Sequence, residues 1–70
     1  MKIKLLNDGE YATRKEIKFP VVIECEPVEI GDHYIEIDGD ILYKIGFKYT
    51  IDLAFFIENN LGEPVEAVIL

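Results

Sequence analysis

The chain has 70 residues, half of them apolar, and a formal net charge of −7 at pH 7. This length leaves room for one domain, residues 1–70, and the apolar fraction predicts a compact core, which excludes a disordered chain. The negative charge disfavours direct contact with nucleic acid, because it repels the negatively charged phosphates. It favours a protein partner with a basic surface, because it attracts positive charge.

The cysteine content and the hydropathy of the chain indicate a reducing, aqueous compartment. Cys25 is the single cysteine, so no intrachain disulfide can form. The N-terminal segment MKIKLLNDGE turns polar after six residues, too early for a secretory signal peptide. No stretch approaches the roughly 18 apolar residues that span a bilayer. We therefore expect a cytoplasmic protein that does not bind membranes.

The first two predicted strands alternate apolar and polar side chains, which is typical of a strand with one buried face. In residues 1–6 the odd positions are apolar, and NDG at 7–9 predicts a turn because these residues tolerate positive φ. In residues 17–26 the odd positions again face inward, with Pro20 at an edge or a bulge. Cys25 lies on this inward face, so we interpret it as a core side chain rather than a reactive thiol.

Residues 27–46 predict a bend followed by a hairpin. The apolar residues move from odd positions to Val28 and Ile30 after Pro27, which predicts a bend or a bulge. Alternating apolar residues flank the sequence DGD, namely Ile35 and Ile37 before it and Ile41, Tyr43 and Ile45 after it. A three-residue loop at 38–40 pairs Ile37 with Ile41 and keeps apolar side chains on one face. DGD is therefore predicted to be the tip of a hairpin.

Residues 47–58 are open to two interpretations. The alternation from Phe47 to Ile57 favours a strand, in which Phe56 points outward. Alternatively, Asp52 caps a short helix whose apolar stripe includes Leu53 and Phe56. The aromatic and β-branched content favours the strand.

The C-terminal residues complete the predicted fold. NNLGEP at 59–64 predicts a turn, and VEAVIL at 65–70 predicts a last strand that pairs antiparallel with the preceding one, with its odd positions inward. Short antiparallel strands with bends at prolines predict a small curled sheet. We expect an all-β fold, or a β-rich fold with one short helix, shaped as an SH3-like, partly open barrel.

Three segments of the chain resemble small acidic accessory proteins of bacteriophages and prophages. They are MKIKLLNDGEY at 1–11, KFPVVIE at 18–24 and GDHYIEIDGDILYKIG at 31–46. The resemblance covers most of residues 1–46 and implies an SH3-like barrel. It further implies a protein of the host bacterial cytosol that binds and inhibits a host protein, of the anti-CRISPR or anti-restriction type. The resemblance includes no defining site, so no functional residue is carried over from it.

The residue content argues against catalysis and against a metal site. The chain has no serine and a single histidine, so it lacks a serine triad and offers only Cys25 with His33 as a thiol–imidazole pair. The acidic stretch does not fit a calcium loop, because starting at Asp32 or Glu36 puts isoleucine where that loop needs glycine. We expect a protein that is not an enzyme and has no cofactor or metal, with His33 as an ordinary surface residue.

Two hypotheses for partner binding follow from the acids and the aromatics. Residues 19–43 contain seven acids and no base. In the first hypothesis these acids mimic nucleic acid, because alternate carboxylates such as Glu24 and Glu26 lie about 6.6 Å apart along a strand. In the second, Phe56 and Ala54 form an aromatic anchor with Tyr11, Tyr34 or Leu42. The candidate partner-binding residues are Glu24, Glu26, Glu29, Asp32, Glu36, Asp38, Asp40, Tyr34 and Phe56.

Two other functions remain open. The same aromatic patch suits a homodimer, so a structural or self-assembling phage protein without inhibitory activity is one alternative. The other is a nucleic-acid-binding SH3-like or OB-like barrel, which uses stacked aromatics and a basic cluster of Lys2, Lys4, Arg14, Lys15 and Lys18. The overall negative charge argues against this last function.

Overall fold

A computed structural model describes residues 1–58 and 64–70 and shows a β-rich fold. The described residues form two three-stranded antiparallel sheets, which remain open, and one short helix. This confirms the predicted class, a small β-rich antiparallel fold with one short helix. The elements in chain order are β1 (Lys2–Leu5), β2 (Val21–Glu24), β3 (Glu29–Ile30), β4 (Tyr34–Ile37), α1 (Gly39–Ile45), β5 (Leu53–Phe56) and β6 (Ala67–Ile69).

The first sheet has β1 at its centre, between β2 and β6. Ile3 and Leu5 of β1 are fully buried, as their alternation with lysines predicts. The C-terminal strand pairs antiparallel with β1, so the prediction that it pairs with the preceding strand is wrong. Pairing with β1 sets Ala67 opposite Leu5, and this register places both apolar side chains on the buried face. Pro20 directly precedes β2, an edge strand, where its missing N–H is tolerated.

The second sheet has β4 at its centre, between β3 and β5. Ile35 lies opposite Phe55 and Ile37 opposite Leu53, and all four side chains are buried in the core. The chain crosses from the first sheet to the second between residues 24 and 29, where the sequence predicts a bend. The predicted pairing of Ile37 with Ile41 is wrong, because Ile37 pairs with Leu53.

Residues 39–45 form the helix α1, so the predicted hairpin with DGD at its tip is also wrong. Asp38 is the N-cap: its Oδ1 accepts hydrogen bonds from the N–H of Asp40 at 2.8 Å and of Ile41 at 3.3 Å. Gly46, with φ of 132°, follows the last helical residue. Signals for both ends of a helix outweigh the local alternation of apolar residues.

The apolar residues of α1 also fit a helical stripe. Leu42 is fully buried, and Ile41 and Ile45 pack partly against the core, while Tyr43 is exposed. Positions i, i+1 and i+4 fall on one side of a helix. The isoleucines at 41 and 45 therefore satisfy the strand and the helix patterns equally, and the caps decide between them.

The predicted strand over residues 47–57 forms only at β5. Phe47 is buried and makes an isolated bridge with Thr13. The alternative helix starting at Asp52 is wrong for residues 53–56, because the Asp52 carboxylate accepts a hydrogen bond from the N–H of Gly39 at 2.9 Å instead. Asp52 thus supports the N-terminus of α1. The turn predicted at 59–64 falls, except for Pro64, outside the described residues.

One hydrophobic cluster joins the two sheets and the helix. Edge-to-face aromatic contacts run through it, with ring centroids 6.5 Å apart for Phe19 and Phe47, 5.9 Å for Phe47 and Phe55, and 5.5 Å for Phe55 and Tyr11. Cys25 packs partly against this cluster. The row of rings leads from the core to Tyr11, which is partly exposed.

Candidate functional site

The outer side of the second sheet carries both acidic and aromatic side chains. Its residues are Glu29 of β3, Tyr34 and Glu36 of β4, and Ala54 and Phe56 of β5, and we call them the acidic-aromatic face. Successive strand side chains alternate between the two faces of a sheet, so these residues point away from the buried Ile35 and Phe55. Glu29 lies directly opposite Glu36, and Tyr34 directly opposite Phe56.

The acidic-aromatic face brings together predicted residues from both binding hypotheses. Glu29 and Glu36 come from the acidic stretch, whereas Tyr34 and Phe56 come from the aromatic patch. Asp32 is exposed in the short connection between β3 and β4, next to this face. The prediction that Leu42 is a possible member of the patch is wrong, because this residue of α1 is fully buried in the core.

Glu24 and Glu26 lie elsewhere, at the end of β2 in the first sheet. The α-amino group of Met1 is 3.8 Å from the Glu24 carboxylate and 3.7 Å from that of Glu26. Both glutamates are exposed. They form a separate acidic site with a cation already beside it.

The remaining predicted acids, Asp38 and Asp40, belong to the start of α1. The Asp38 carboxylate is occupied by its two capping hydrogen bonds, and Asp40 is exposed in the first helical turn. The predicted row of acids from residue 24 to residue 40 is therefore divided among three places in the fold.

The Tyr34 side chain lies near acidic residues and against the β3–β4 turn. Hydrogen bonding of its hydroxyl to the Glu29 carboxylate raises the pKa of Tyr34, and the negative charges of Glu29, Glu36 and Asp32 act in the same direction. The ring covers Gly31 so closely that a Cβ atom at this position would overlap it. Gly31 thus lets the tyrosine lie flat against the turn.

A cavity of about 220 Å³ adjoins the acidic-aromatic face. Its lining residues include the aromatic residues Tyr11, Tyr34 and Phe56 and the acidic residues Glu10 and Glu66. The cavity therefore joins residues from the first loop, the second sheet and the segment before β6. Of these, Tyr11, Tyr34 and Phe56 were expected from the sequence, whereas Glu10 and Glu66 were not.

The loop after β1 carries Tyr11 and Glu10 to this cavity. Asn7 Oδ1 accepts a hydrogen bond from the N–H of Gly9, and Asp8 Oδ1 accepts one from that of Glu10, both at 2.8 Å. These are side-chain-to-backbone turns of the kind that Asn and Asp favour. The Tyr11 hydroxyl then donates to the Ala54 carbonyl at 2.7 Å and fixes the loop to β5.

Glu66, another lining residue of the cavity, has only 8% of its surface exposed. Its Oε1 accepts a hydrogen bond from the N–H of Phe56 at 3.0 Å, and its own N–H donates to the Phe56 carbonyl at 2.8 Å. Alternation within VEAVIL predicts that this side chain points outward to solvent. No local sequence signal marks it as buried, because its burial depends on β5, ten residues earlier.

The basic residues named as a possible nucleic-acid surface do not all share one surface. The Arg14 guanidinium donates to the Tyr43 carbonyl and lies 4.3 Å from the centroid of the Tyr43 ring, at the end of α1. Lys2 and Lys4 belong to β1 in the first sheet, where Lys2 lies opposite Glu24. Arg14 therefore contacts the C-terminal turn of α1.

The thiol and the imidazole are in different surroundings. Burial raises the pKa of the Cys25 thiol, and the charges of Glu26, Asp38 and Glu24 also raise it, against a lowering by the α-amino group. His33 is exposed, and its Nδ1 is 3.3 Å from Oε2 of Glu58.

Neither a metal-binding cluster nor a membrane-spanning helix is present among the described residues. Within residues 1–58 and 64–70, no group of three or more His, Cys, Asp or Glu side chains is arranged to hold a metal ion. Over the same residues, no helix has the length and the apolar character needed to cross a membrane.

Comparisons of this chain with protein-family models, with curated proteins and with solved structures found no match.

Proposed function

We propose that this chain is a small protein-binding module whose partner presents a basic surface, and that the acidic-aromatic face is the contact surface. The observation that carries the proposal is the register that sets Glu29 opposite Glu36, next to the pair Tyr34 and Phe56. Like charges directly opposite each other destabilise a sheet. A cationic group from a partner offsets this repulsion, which gives the arrangement a function in binding.

The aromatic residues add an apolar anchor to the charged surface. Phe56, in the strand β5 that pairs with β4, keeps 36% of its surface exposed. Interfaces concentrate their binding energy in a few large side chains, aromatic ones above all, and surround them with polar groups. Glu29 and Glu36 provide such a polar surround for Tyr34 and Phe56.

The charge of the whole chain supports the same partner class. A net charge of −7 on 70 residues attracts a basic surface over a distance of about one Debye length and accelerates association with it. The resemblance to phage accessory proteins suggests a host protein in the bacterial cytosol as this partner. Because the acids are divided among three places, we propose inhibition by steric block of the partner's basic surface, in preference to mimicry of a nucleic-acid strand.

The proposal is tested with two double variants that make the same change in net charge. Glu29→Lys with Glu36→Lys alters the proposed face, and Glu24→Lys with Glu26→Lys alters the acids of the first sheet. Each tagged protein is incubated with bacterial lysate and washed at low and then at high salt, and mass spectrometry identifies the retained proteins. We expect the wild type and the second variant to retain the same basic partner, released by salt, and the first variant to lose it.

Other results of this experiment contradict the proposal. Equal loss in both variants would show that the total charge matters and the face does not. Retention of nucleic acid would favour the nucleic-acid-binding alternative. Capture of the chain alone would favour self-assembly, for which exposed apolar residues offer a surface, namely Val68 and Ile69 of the edge strand β6 and Leu70 after it. Circular dichroism of each variant checks that it is folded.

A further inference from the structure

We infer that the cavity beside the acidic-aromatic face receives one cationic side chain, a guanidinium or an ammonium group, of the partner protein. This inference rests on the proposed function and names the chemical group that the site recognises.

The aromatic lining suits a cation. Tyr11, Tyr34 and Phe56 all line the cavity, and the face of an aromatic ring attracts a cation placed within about 6 Å of its centre. The Tyr11 ring is held by its hydroxyl, which donates to the Ala54 carbonyl at 2.7 Å, and by edge-to-face contact with Phe55. A wall that is already ordered loses little conformational entropy when a ligand binds.

The Glu66 carboxylate gives the cavity a buried negative charge. Its residue is more than nine-tenths buried, and it lines the cavity. Among the described residues, hydrogen bonding engages Oε1 through the N–H of Phe56, and Oε2 has no partner. Oε2 is therefore open to a donor that enters the cavity, and a charged N–H donor makes the stronger hydrogen bond.

The described part of the chain supplies no cation to this carboxylate. Its ion pairs, within residues 1–58 and 64–70, join the Met1 amine to Glu24 and Glu26 and join His33 to Glu58. No buried side-chain oxygen or nitrogen of the described residues lacks a hydrogen-bond partner, so Oε2 of Glu66, which makes no such bond there, keeps accessible surface. A cation that enters the cavity can pair with this accessible oxygen, which an apolar ligand cannot do.

Glu10 adds a second carboxylate to the lining in an uncommon backbone conformation. Its φ is 67°, which side chains other than glycine rarely adopt. Strained residues concentrate at ligand-binding sites, where the surrounding structure holds them in place. The turn built by Asn7 and Asp8 holds Glu10 in this conformation.

The test uses a matched pair of small ligands and needs no partner protein. Nα-acetyl-arginine amide carries a guanidinium, and Nα-acetyl-citrulline amide has nearly the same shape without the charge. Each is titrated into the ¹⁵N-labelled full chain and followed by NMR. We expect saturable shifts of the amide signals of Gly9, Tyr11, Phe56 and Glu66 with the arginine ligand, and binding at least tenfold weaker with the citrulline ligand.

Two variants locate the effect in the cavity. Glu66→Gln keeps an oxygen that accepts the Phe56 N–H but removes the charge, so we expect about tenfold weaker binding of the arginine ligand. Glu16→Gln removes one exposed charge from outside the cavity lining and should leave the affinity unchanged. Phe56→Leu keeps an apolar side chain without a ring face, and it should also weaken binding, which gives a second measure if Glu66→Gln does not fold.

The results separate the inference from the proposed function. Equal binding of the two ligands, shifts confined to other parts of the chain, or no change in Glu66→Gln overturns the cavity as a cation site, whatever the lysate experiment shows. Binding of arginine ligand at the cavity, lost in Glu66→Gln, supports the inference even when no partner protein is captured. A lysine ligand that behaves like the arginine ligand supports the same cationic chemistry.

Discussion

At the scale of single residues, the loop after β1 contains two neighbouring positive φ angles with different costs. Gly9 has φ of 62° and Glu10 has φ of 67°. Glycine adopts this conformation freely, and a Cβ atom at Gly9 would lie 3.1 Å from the Phe55 ring. Glu10 has a Cβ atom, for which the left-handed conformation costs roughly 1–2 kcal/mol. The NDG sequence predicts the turn, but it does not predict that the strain extends to residue 10.

We predict that Glu10→Gly is more stable than Glu10→Ala by about 1 kcal/mol. Both variants remove the carboxylate, and only glycine removes the backbone strain. The free energy of unfolding is measured by urea denaturation followed by circular dichroism. Gly9→Ala is the control in the opposite direction, and it should destabilise the protein by more than about 1 kcal/mol because strain and crowding against Phe55 add together. Equal stability of the two Glu10 variants would contradict this account.

At the scale of elements, α1 depends on its caps and its packing. Seven residues are far fewer than the roughly 12–15 that an isolated helix needs in water. Two carboxylates bond its first N–H groups: Asp38 accepts from Asp40 and Ile41, and Asp52 accepts from Gly39. A Cβ atom at Gly39 would overlap the backbone of Thr50, so this segment and the helix start fit closely. The local sequence contains the Asp38 cap, whereas the contribution of Asp52 requires the tertiary structure.

We predict that Asp38→Ala lowers the free energy of unfolding by about 1 kcal/mol, because it removes the N-cap oxygen. Asp38→Asn should keep most of the stability, since asparagine caps helices about as well as aspartate. Urea denaturation of both variants tests this, with Asp40→Ala as a control at an exposed position in the same helical turn. An equal loss in Asp38→Asn and Asp38→Ala would show that the charge of Asp38, and not its hydrogen bonds, stabilises the helix.

At the scale of the whole molecule, two groups link stability to alkaline pH. Burial raises the pKa of Cys25, and hydrogen bonding to Glu29 raises the pKa of Tyr34. In both groups the folded state therefore favours the protonated, neutral form. The stability that they contribute is fully present below their unfolded pKa values, about 8.5 and about 10, and is lost as the pH rises through the folded values.

We predict that the free energy of unfolding of the reduced protein falls between about pH 8 and about pH 11. The double variant Cys25→Ala with Tyr34→Phe should show a smaller fall, because neither group can then release a proton. Urea denaturation at several pH values measures both slopes. If the two slopes are the same, other groups cause the alkaline loss and the environments described for Cys25 and Tyr34 are wrong.

The extent of sequence-based prediction differs between the elements. Alternation correctly placed Ile3 and Leu5 of β1 and Leu53 and Phe55 of β5 in the core, because the period of a strand is local information. The same rule failed at α1, where isoleucines four residues apart fit a helix equally well. It also placed Phe56 on the outside correctly. The prediction that Phe56 lies near Tyr34 is met by the pairing of β4 with β5.

The sequence by itself determined the β-rich class of this protein, its acidic character and the inward faces of β1 and β5, since composition and period depend on near neighbours along the chain. Only the tertiary structure decided that β6 pairs with β1, that Glu66 is buried against Phe56, and that Glu29 and Glu36 share a face with Tyr34. The physical reason is that strand pairing and burial arise from contacts between distant segments. These contacts are selected by how well all the apolar side chains can be buried together, which no short stretch of sequence specifies.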